Sequence, residues 1–205
     1  SIKSGLSMSM CGIPWWNSDI GGFWGADIES DYFRELIVRW FQFGVFCPVM
    51  RLHGSRQKQS DFVERNPGII EPSGGDNEIW SFGEANYPIL KSLIELRERL
   101  MDYTCKYMDI NAKTGAPIMR PMFFDYPKDP VCYTLEDQYL YGSEILFAPI
   151  YEQGATSRKV YLPAGNWIRT STKEKFCGGT TITCQAKLNE FIAFVKEGSD
   201  ILSIF

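Results

Sequence analysis

The sequence is poor in the features that most directly announce a chemistry. It has one histidine, His53, and none of its six cysteines form a C-x-x-C pair, so the usual ligand sets of a structural zinc site are missing. It has no G-x-x-x-x-G-K-[ST] phosphate loop and no G-x-S-x-G nucleophile elbow. Its longest apolar stretch, Phe41 to Met50, is interrupted by Gln42, Gly44 and Pro48 and falls short of the ~20 residues that a membrane helix needs. It also lacks an excess of positive charge. A formal net charge of −4 argues against broad electrostatic attraction to nucleic acid or to an anionic membrane. Neither a cofactor nor a metal is expected. The six thiols are expected to be mostly reduced, which favours the cytoplasm.

What the sequence does have is aromatic side chains. Fourteen Phe, ten Tyr and six Trp make up 15% of 205 residues, more than a core of this size requires. Exposed aromatic faces stack on flat apolar ligands such as sugar rings. The first half alternates short apolar runs with helical periodicity. Residues 12–16 and 48–52 are strand candidates. Phe33, Leu36, Ile37, Trp40 and Phe41 recur at helical spacing behind a Ser30 or Asp31 cap. A polar loop with Pro67-Gly68, Pro72 and Gly74-Gly75 follows. A long helix is then expected from an Asn86 cap to about residue 111, supported by a Glu95–Arg99 pair and ended by Gly115 at the latest. Strand, helix, strand, helix is the pattern of parallel α/β architecture.

Near residues 112–116 the pattern changes. Strand-like runs appear at 117–124, 145–151, 159–162, 167–170, 180–184 and 191–196, separated by Pro- and Gly-rich turns. They predict an antiparallel sandwich. Cys47 and Cys105 lie in apolar surroundings and are expected to act as small hydrophobes.

Two stretches could carry chemistry. In Trp15-Trp16-Asn17-Ser18-Asp19-Ile20-Gly21-Gly22-Phe23-Trp24 an apolar run enters a glycine-rich turn flanked by aromatics. Asp19 could accept hydrogen bonds from hydroxyls, or simply bond its own turn. In Arg51-Leu52-His53-Gly54-Ser55 the imidazole could meet a substrate hydroxyl, or cap the end of a strand. The carboxylates Asp125, Asp129, Glu136, Asp137 and Glu144 sit beside turn residues and are expected to be solvated. The residues alone point to a polyol or sugar ligand and no further.

Trp16-Asn-Ser-Asp-Ile-Gly-Gly-Phe23, Arg51-Leu-His-Gly-Ser55 and Ala116-Pro-Ile-Met-Arg-Pro-Met122 resemble glycoside hydrolase family 31. So do Glu136-Asp-Gln-Tyr139, Leu146-Phe-Ala-Pro149, Tyr161-Leu-Pro-Ala-Gly165-Asn-Trp167 and the stretch from Gly74 to Gly83. The loop after Ser55 lacks the Pro-Trp ending of some members.

The resemblance implies α/β plus all-β architecture. Residues 1–114 would be the last part of a (β/α)8 TIM barrel, strands 7 and 8 with their helices. Residues 115–205 would be a proximal C-terminal β-sandwich. Barrel active sites lie at the C-terminal ends of the strands. By resemblance, His53 hydrogen-bonds sugar hydroxyls in the −1 subsite, Asp19 belongs to the polar network beneath that sugar, and Phe23 lines the pocket with Trp16.

The family's two catalytic aspartates would come from strands upstream of Ser1. No catalytic residue is therefore expected in this chain, which would be an inactive C-terminal fragment of a retaining α-glucosidase or α-xylosidase. The partners implied are an oligosaccharide or α-glycoside and the remainder of the barrel, from the same or another chain. A second reading is a non-catalytic module that binds carbohydrate or a partner.

Overall fold

The computed structural model describes residues 1–56, 67–68 and 76–205. Pro72 and Gly74-Gly75 lie outside the described residues. Among the described residues no helix is long and apolar enough to cross a membrane.

The first element is helix α1, Ile2–Met10. It lies directly on Trp16: a Cβ at Gly5 would come within 1.9 Å of the indole ring, so only glycine fits there. Helix α2 spans Asp31–Val45. It starts where the sequence places a cap, with the Ser30 side chain accepting from the Phe33 N–H at 3.2 Å. Phe33, Ile37 and Phe41 are buried as the periodicity predicts, while Leu36 and Trp40 remain half-buried.

The expected strands at 12–16 and 48–52 are not regular strands. Two hydrogen bonds tie the segments together. The Val49 N–H donates to the Trp16 carbonyl (3.3 Å) and the Ile20 N–H donates to the Arg51 carbonyl (3.0 Å). The segments thus run side by side in the same direction, but with too few bonds for a continuous ladder. Apolar runs alone do not guarantee burial: of these two segments only Trp16 and Pro48 are buried, while Ile13, Trp15 and Val49 are exposed.

The expected long helix is two. Helix α3 spans Tyr87–Arg99 and helix α4 spans Met101–Thr114. At the break the Thr104 hydroxyl donates to the Leu100 carbonyl at 2.9 Å, a back-bond that bends helices. Asn86 stands at the N-cap position of α3, as expected, but its side chain makes no cap hydrogen bond. Pro88 removes one of the N–H groups a cap would serve, and the Asn86 amide donates to the Arg34 carbonyl instead (2.8 Å). Glu95 pairs with Lys91 (3.7 Å), not with Arg99, whose Nε donates to the Ile204 carbonyl. Gly115, at φ 77°, ends α4 in the left-handed cap that glycine favours.

Eight strands follow: β1 Met119–Pro121, β2 Tyr139–Tyr141, β3 Ile145–Phe147, β4 Ser157–Leu162, β5 Asn166–Arg169, β6 Lys175–Cys177, β7 Thr180–Gln185 and β8 Ala193–Lys196. They form an antiparallel six-stranded sheet in the order β1-β2-β3-β8-β5-β6, and an antiparallel β4-β7 pair. The expected run 117–124 divides, because Met122–Asp125 turns into the short helix α5.

Along β1, β2, β3 and β8 the large sheet is buried on both faces, and the two-residue period of a strand decides which side chain goes where. Leu140, Leu146 and Phe194 pack with Val160, Leu162, Trp167 and Cys184 inside the sandwich. Their neighbours Tyr139, Tyr141, Ile145, Phe147, Ala193 and Val195 join the core formed with the helices. All six cysteines are free thiols. Cys47, Cys132 and Cys184 are buried, but Cys105 is exposed, contrary to expectation, because α4 turns it away from the core.

Candidate carbohydrate-binding rim

Two turns meet beyond the ends of the paired parallel segments. In the first, Gly22 N–H donates to the Asp19 carbonyl (2.8 Å), and Gly21 and Gly22 take φ of 83° and 86°. Asp19 therefore closes its turn through its backbone, and its carboxylate is left to face Arg51, with Oδ1 3.3 Å from Nε. In the second turn the Ser55 N–H donates to the Phe23 carbonyl (2.9 Å), locking the turns together. Gly54 is required at that crossing. Its φ is 121°, and a Cβ would lie 2.5 Å from the Phe23 carbonyl oxygen.

The result is a rim of exposed groups. The Phe23 ring lies 5.4 Å from the His53 ring at 40° and 6.0 Å from the Trp24 ring at 37°. Phe23 is 52% exposed and Trp24 41% exposed. An apolar wall, an imidazole and a carboxylate side by side can pack a sugar face and hydrogen-bond its hydroxyls. Ser18, in the same first stretch, accepts from Trp40 Nε1 at 3.0 Å, which anchors the turn to α2.

Phe23 and His53 are thus brought into ring contact, and Asp19 opens the turn that leads to Phe23, its carboxylate paired with Arg51. Trp16 does not join them: it is 5% exposed, packed beneath α1 and 6.3 Å from the Phe43 ring, so in this structure it is core beneath the rim. The glycine at position 5 explains the difference, since it lets α1 close directly over the indole while the adjoining Trp15 stays exposed.

Sequence reasoning missed Arg56. Only 3% exposed, it lies under both turns. Its Nη1 donates to the Gly21 and Gly22 carbonyls (3.0 and 2.6 Å). Its Nη2 donates to the Ile20 and His53 carbonyls (2.7 and 3.2 Å), and its Nε to Asn77 Oδ1 (2.7 Å). Burial lowers its pKa from the ordinary arginine value, and the Asp19 carboxylate opposes that shift. No local pattern distinguishes such an arginine from a solvated one. Three of the four carbonyls it serves come from another loop.

A cavity of about 540 Å³ lies elsewhere, between the start of α1, α2 and the 149–153 turn. It shares none of Asp19, Phe23, Arg51 or His53. Among the described residues no group of three or more His, Cys, Asp or Glu side chains could hold a metal ion.

The helices that carry this rim are followed by an antiparallel sandwich. Residues 1–107 match the glycosyl hydrolases family 31 TIM-barrel domain, and residues 115–201 match the glycosyl hydrolase family 31 C-terminal domain. The chain belongs to glycosyl hydrolase family 31.

It is 34% identical over 200 residues to the isomaltosyltransferase of Sporosarcina globispora, covering 97% of this chain and 17% of that protein. It is 32% identical over 199 residues to the alpha-xylosidase of Saccharolobus solfataricus, covering 97% of this chain and 25% of that protein. Among solved structures, a GH31 alpha-xylosidase from a soil metagenome, complexed with xylose, superimposes with a TM-score of 0.90 at 46% identity, over 99% of this chain and 30% of that one. The Flavobacterium johnsoniae GH31 dextranase complexed with glucose gives 0.82 at 40% identity, over 95% and 22%. The chain spans less than a third of the length of each of these relatives.

Proposed function

We propose that the chain is the C-terminal portion of a retaining α-glycosidase that removes terminal α-linked glucose or xylose from oligosaccharides. In this reading residues 1–114 are the last two strands and helices of the (β/α)8 barrel, and residues 115–205 are the proximal sandwich. Carrying the reading is one observation: the His53 and Phe23 rings meet on two turns locked together past the ends of two parallel-running segments. That is where a barrel places its substrate site. The sugars in the related structures, xylose and glucose, support the substrate class.

His53 donates to or accepts from hydroxyls of the sugar in the −1 subsite. Asp19, held by Arg51, orients the polar network below it, and Phe23 walls the pocket. Trp16 supports this floor from beneath. The nucleophile and the acid/base aspartate belong to earlier strands. Retention needs the two carboxyl groups about 5–5.5 Å apart across the scissile bond.

The test uses aryl α-glucosides and α-xylosides. The full-length protein is expected to hydrolyse them and the 205-residue chain is not. Replacing His53 by Ala in the full-length protein is expected to lower kcat/KM about 100-fold, as expected for losing a hydrogen-bonding group that strengthens in the transition state. Turnover by the isolated chain, or an unaffected His53→Ala enzyme, would overturn the reading.

A further inference from the structure

The geometry points to Arg56 as a positioning residue that holds Asp19, Phe23 and His53 in one arrangement on the substrate rim. The inference rests on the α-glycosidase reading and adds a residue that touches no sugar in it. A guanidinium has five N–H donors in a fixed fork, and here the fork meets five acceptors. Three of these are the consecutive carbonyls of Ile20, Gly21 and Gly22, the links between Asp19 and Phe23. The fourth is the carbonyl of His53 itself.

Carbonyl dipoles converging on one buried point repel one another unless a cation sits among them. Arg56 supplies that charge where only 3% of its surface is exposed. The guanidinium carbon also lies 5.5 Å from the centre of the Phe33 ring, which fixes its plane against α2. Asn77 orients the fork from the far side through Nε. The backbone of both turns thus refers to one rigid group, and the side chains they carry follow. Lysine, with three donors on a flexible stem, cannot reproduce the fork.

The test is kinetic and uses the full-length protein. Arg56→Met keeps bulk and removes the donors. Per folded molecule, it is expected to lower kcat/KM about 100-fold, mostly through kcat, because misplacing groups by about 1 Å costs that much in a near-attack geometry. Arg56→Lys should recover about tenfold of that loss by restoring the charge. Arg39→Lys is the control. Arg39 is also a buried arginine, tied to carbonyls of the sandwich, and its loss should lower stability while leaving kcat and KM per folded molecule unchanged.

If the Arg56→Met enzyme loses activity only in proportion to its folded fraction, the positioning role is wrong. If that variant does not fold, Asn77→Ala decides: a drop of about threefold in kcat/KM is expected, and no change overturns the proposal. A wild-type protein that cleaves no α-glycoside defeats the functional reading instead, before any variant is compared.

Discussion

In the sandwich, Leu140, Leu146 and Phe194 from one sheet meet Val160, Leu162 and Cys184 from the other, and the backbone of each strand is paired along its neighbours. In the helical half, loop carbonyls outside any strand ladder are gathered by arginine side chains. Arg56 serves those of 20–22 and 53, and Arg97 serves those of Val45, Cys47 and Pro48. The surfaces differ in the same sense. Among the described residues, Met8, Met10, Ile13, Trp15, Phe23, Trp24, Tyr32, Val49, Trp80, Tyr87 and Met101 are large, apolar and exposed before residue 115. Only Val131, Tyr133 and Tyr151 are so after it. A self-paired antiparallel unit closes its own core. Two parallel segments with helices on one side do not, and bare apolar surface of this kind marks a contact face. In the proposed reading that face is the one the rest of the barrel would meet.

The largest effect should come from emptying the self-contained half. Trp167 is fully buried and donates through Nε1 to the Pro163 carbonyl (2.8 Å). Trp167→Ala is expected to cost about 4 kcal/mol, the transfer loss plus a cavity. Denaturant unfolding would show it as a lower midpoint. A loss under about 1 kcal/mol would mean that the sandwich interior is loosely packed and the contrast with the helical half is overstated.

Next in size is the staple between the halves. Arg39, 7% exposed on α2, donates to the carbonyls of Ala155, Ala186, Lys187 and Glu190, and to Gln42 Oε1. Gln42 adds bonds to the carbonyls of Leu188 and Glu190. Arg39→Met strands those acceptors and is expected to cost about 3 kcal/mol. Because the bonds cross between the halves, unfolding should separate into two transitions, with the helical half melting first. A single shifted transition would show that the aromatic contacts at the junction, such as the Phe46–Phe147 stack at 4.3 Å, hold the halves together without it.

The two halves also differ in how plainly the chain writes them. Helix α2 is legible because its cap and its period are local: Ser30, then Phe33, Ile37 and Phe41. The antiparallel strands β4, β5, β7 and β8 are legible from turn residues at regular spacing. Strand β2 is not, since Tyr139-Leu140-Tyr141 is buried on both faces and so shows no alternation. Strand β6 is a three-residue edge with little burial to signal it. At the rim, Asp19, Phe23 and His53 sit in compositional motifs that can be recognised. Arg56 takes its meaning from carbonyls more than thirty residues away, and Trp16 from Gly5 across a helix. Neither relation leaves a local trace.

The smallest expected effect is alkaline and tests whether the sandwich's closure costs it tolerance. Burial, with the Asp125 charge second, pushes the Tyr126 phenol up to about 12. Burial pushes the Cys132 thiol up to about 12, with Asp129 adding to it. The hydrogen bond to Asp129 is the first cause raising Tyr161 to about 12, its phenol donating to Oδ2 at 2.6 Å. All three are neutral when protonated and are held protonated by the fold. In the unfolded chain they ionise near their ordinary values of 9 for the thiol and 10 for the phenols. Between those values and about 12 the native state binds more protons than the unfolded one, so stability falls as pH rises. It is fully present below about pH 9 and lost through about pH 12. The partly exposed Tyr126 and Tyr161 phenols are screened by water, so the loss expected from each is about 1 kcal/mol or less. Denaturant midpoints across this range measure it. Tyr161→Phe removes the bond to Asp129 and should flatten the decline, whereas a decline that Tyr161→Phe leaves intact would place the alkaline sensitivity at Tyr126 and Cys132 or at the junction. There, burial likewise raises Cys47, Tyr139 and Tyr141, and Arg97 opposes it.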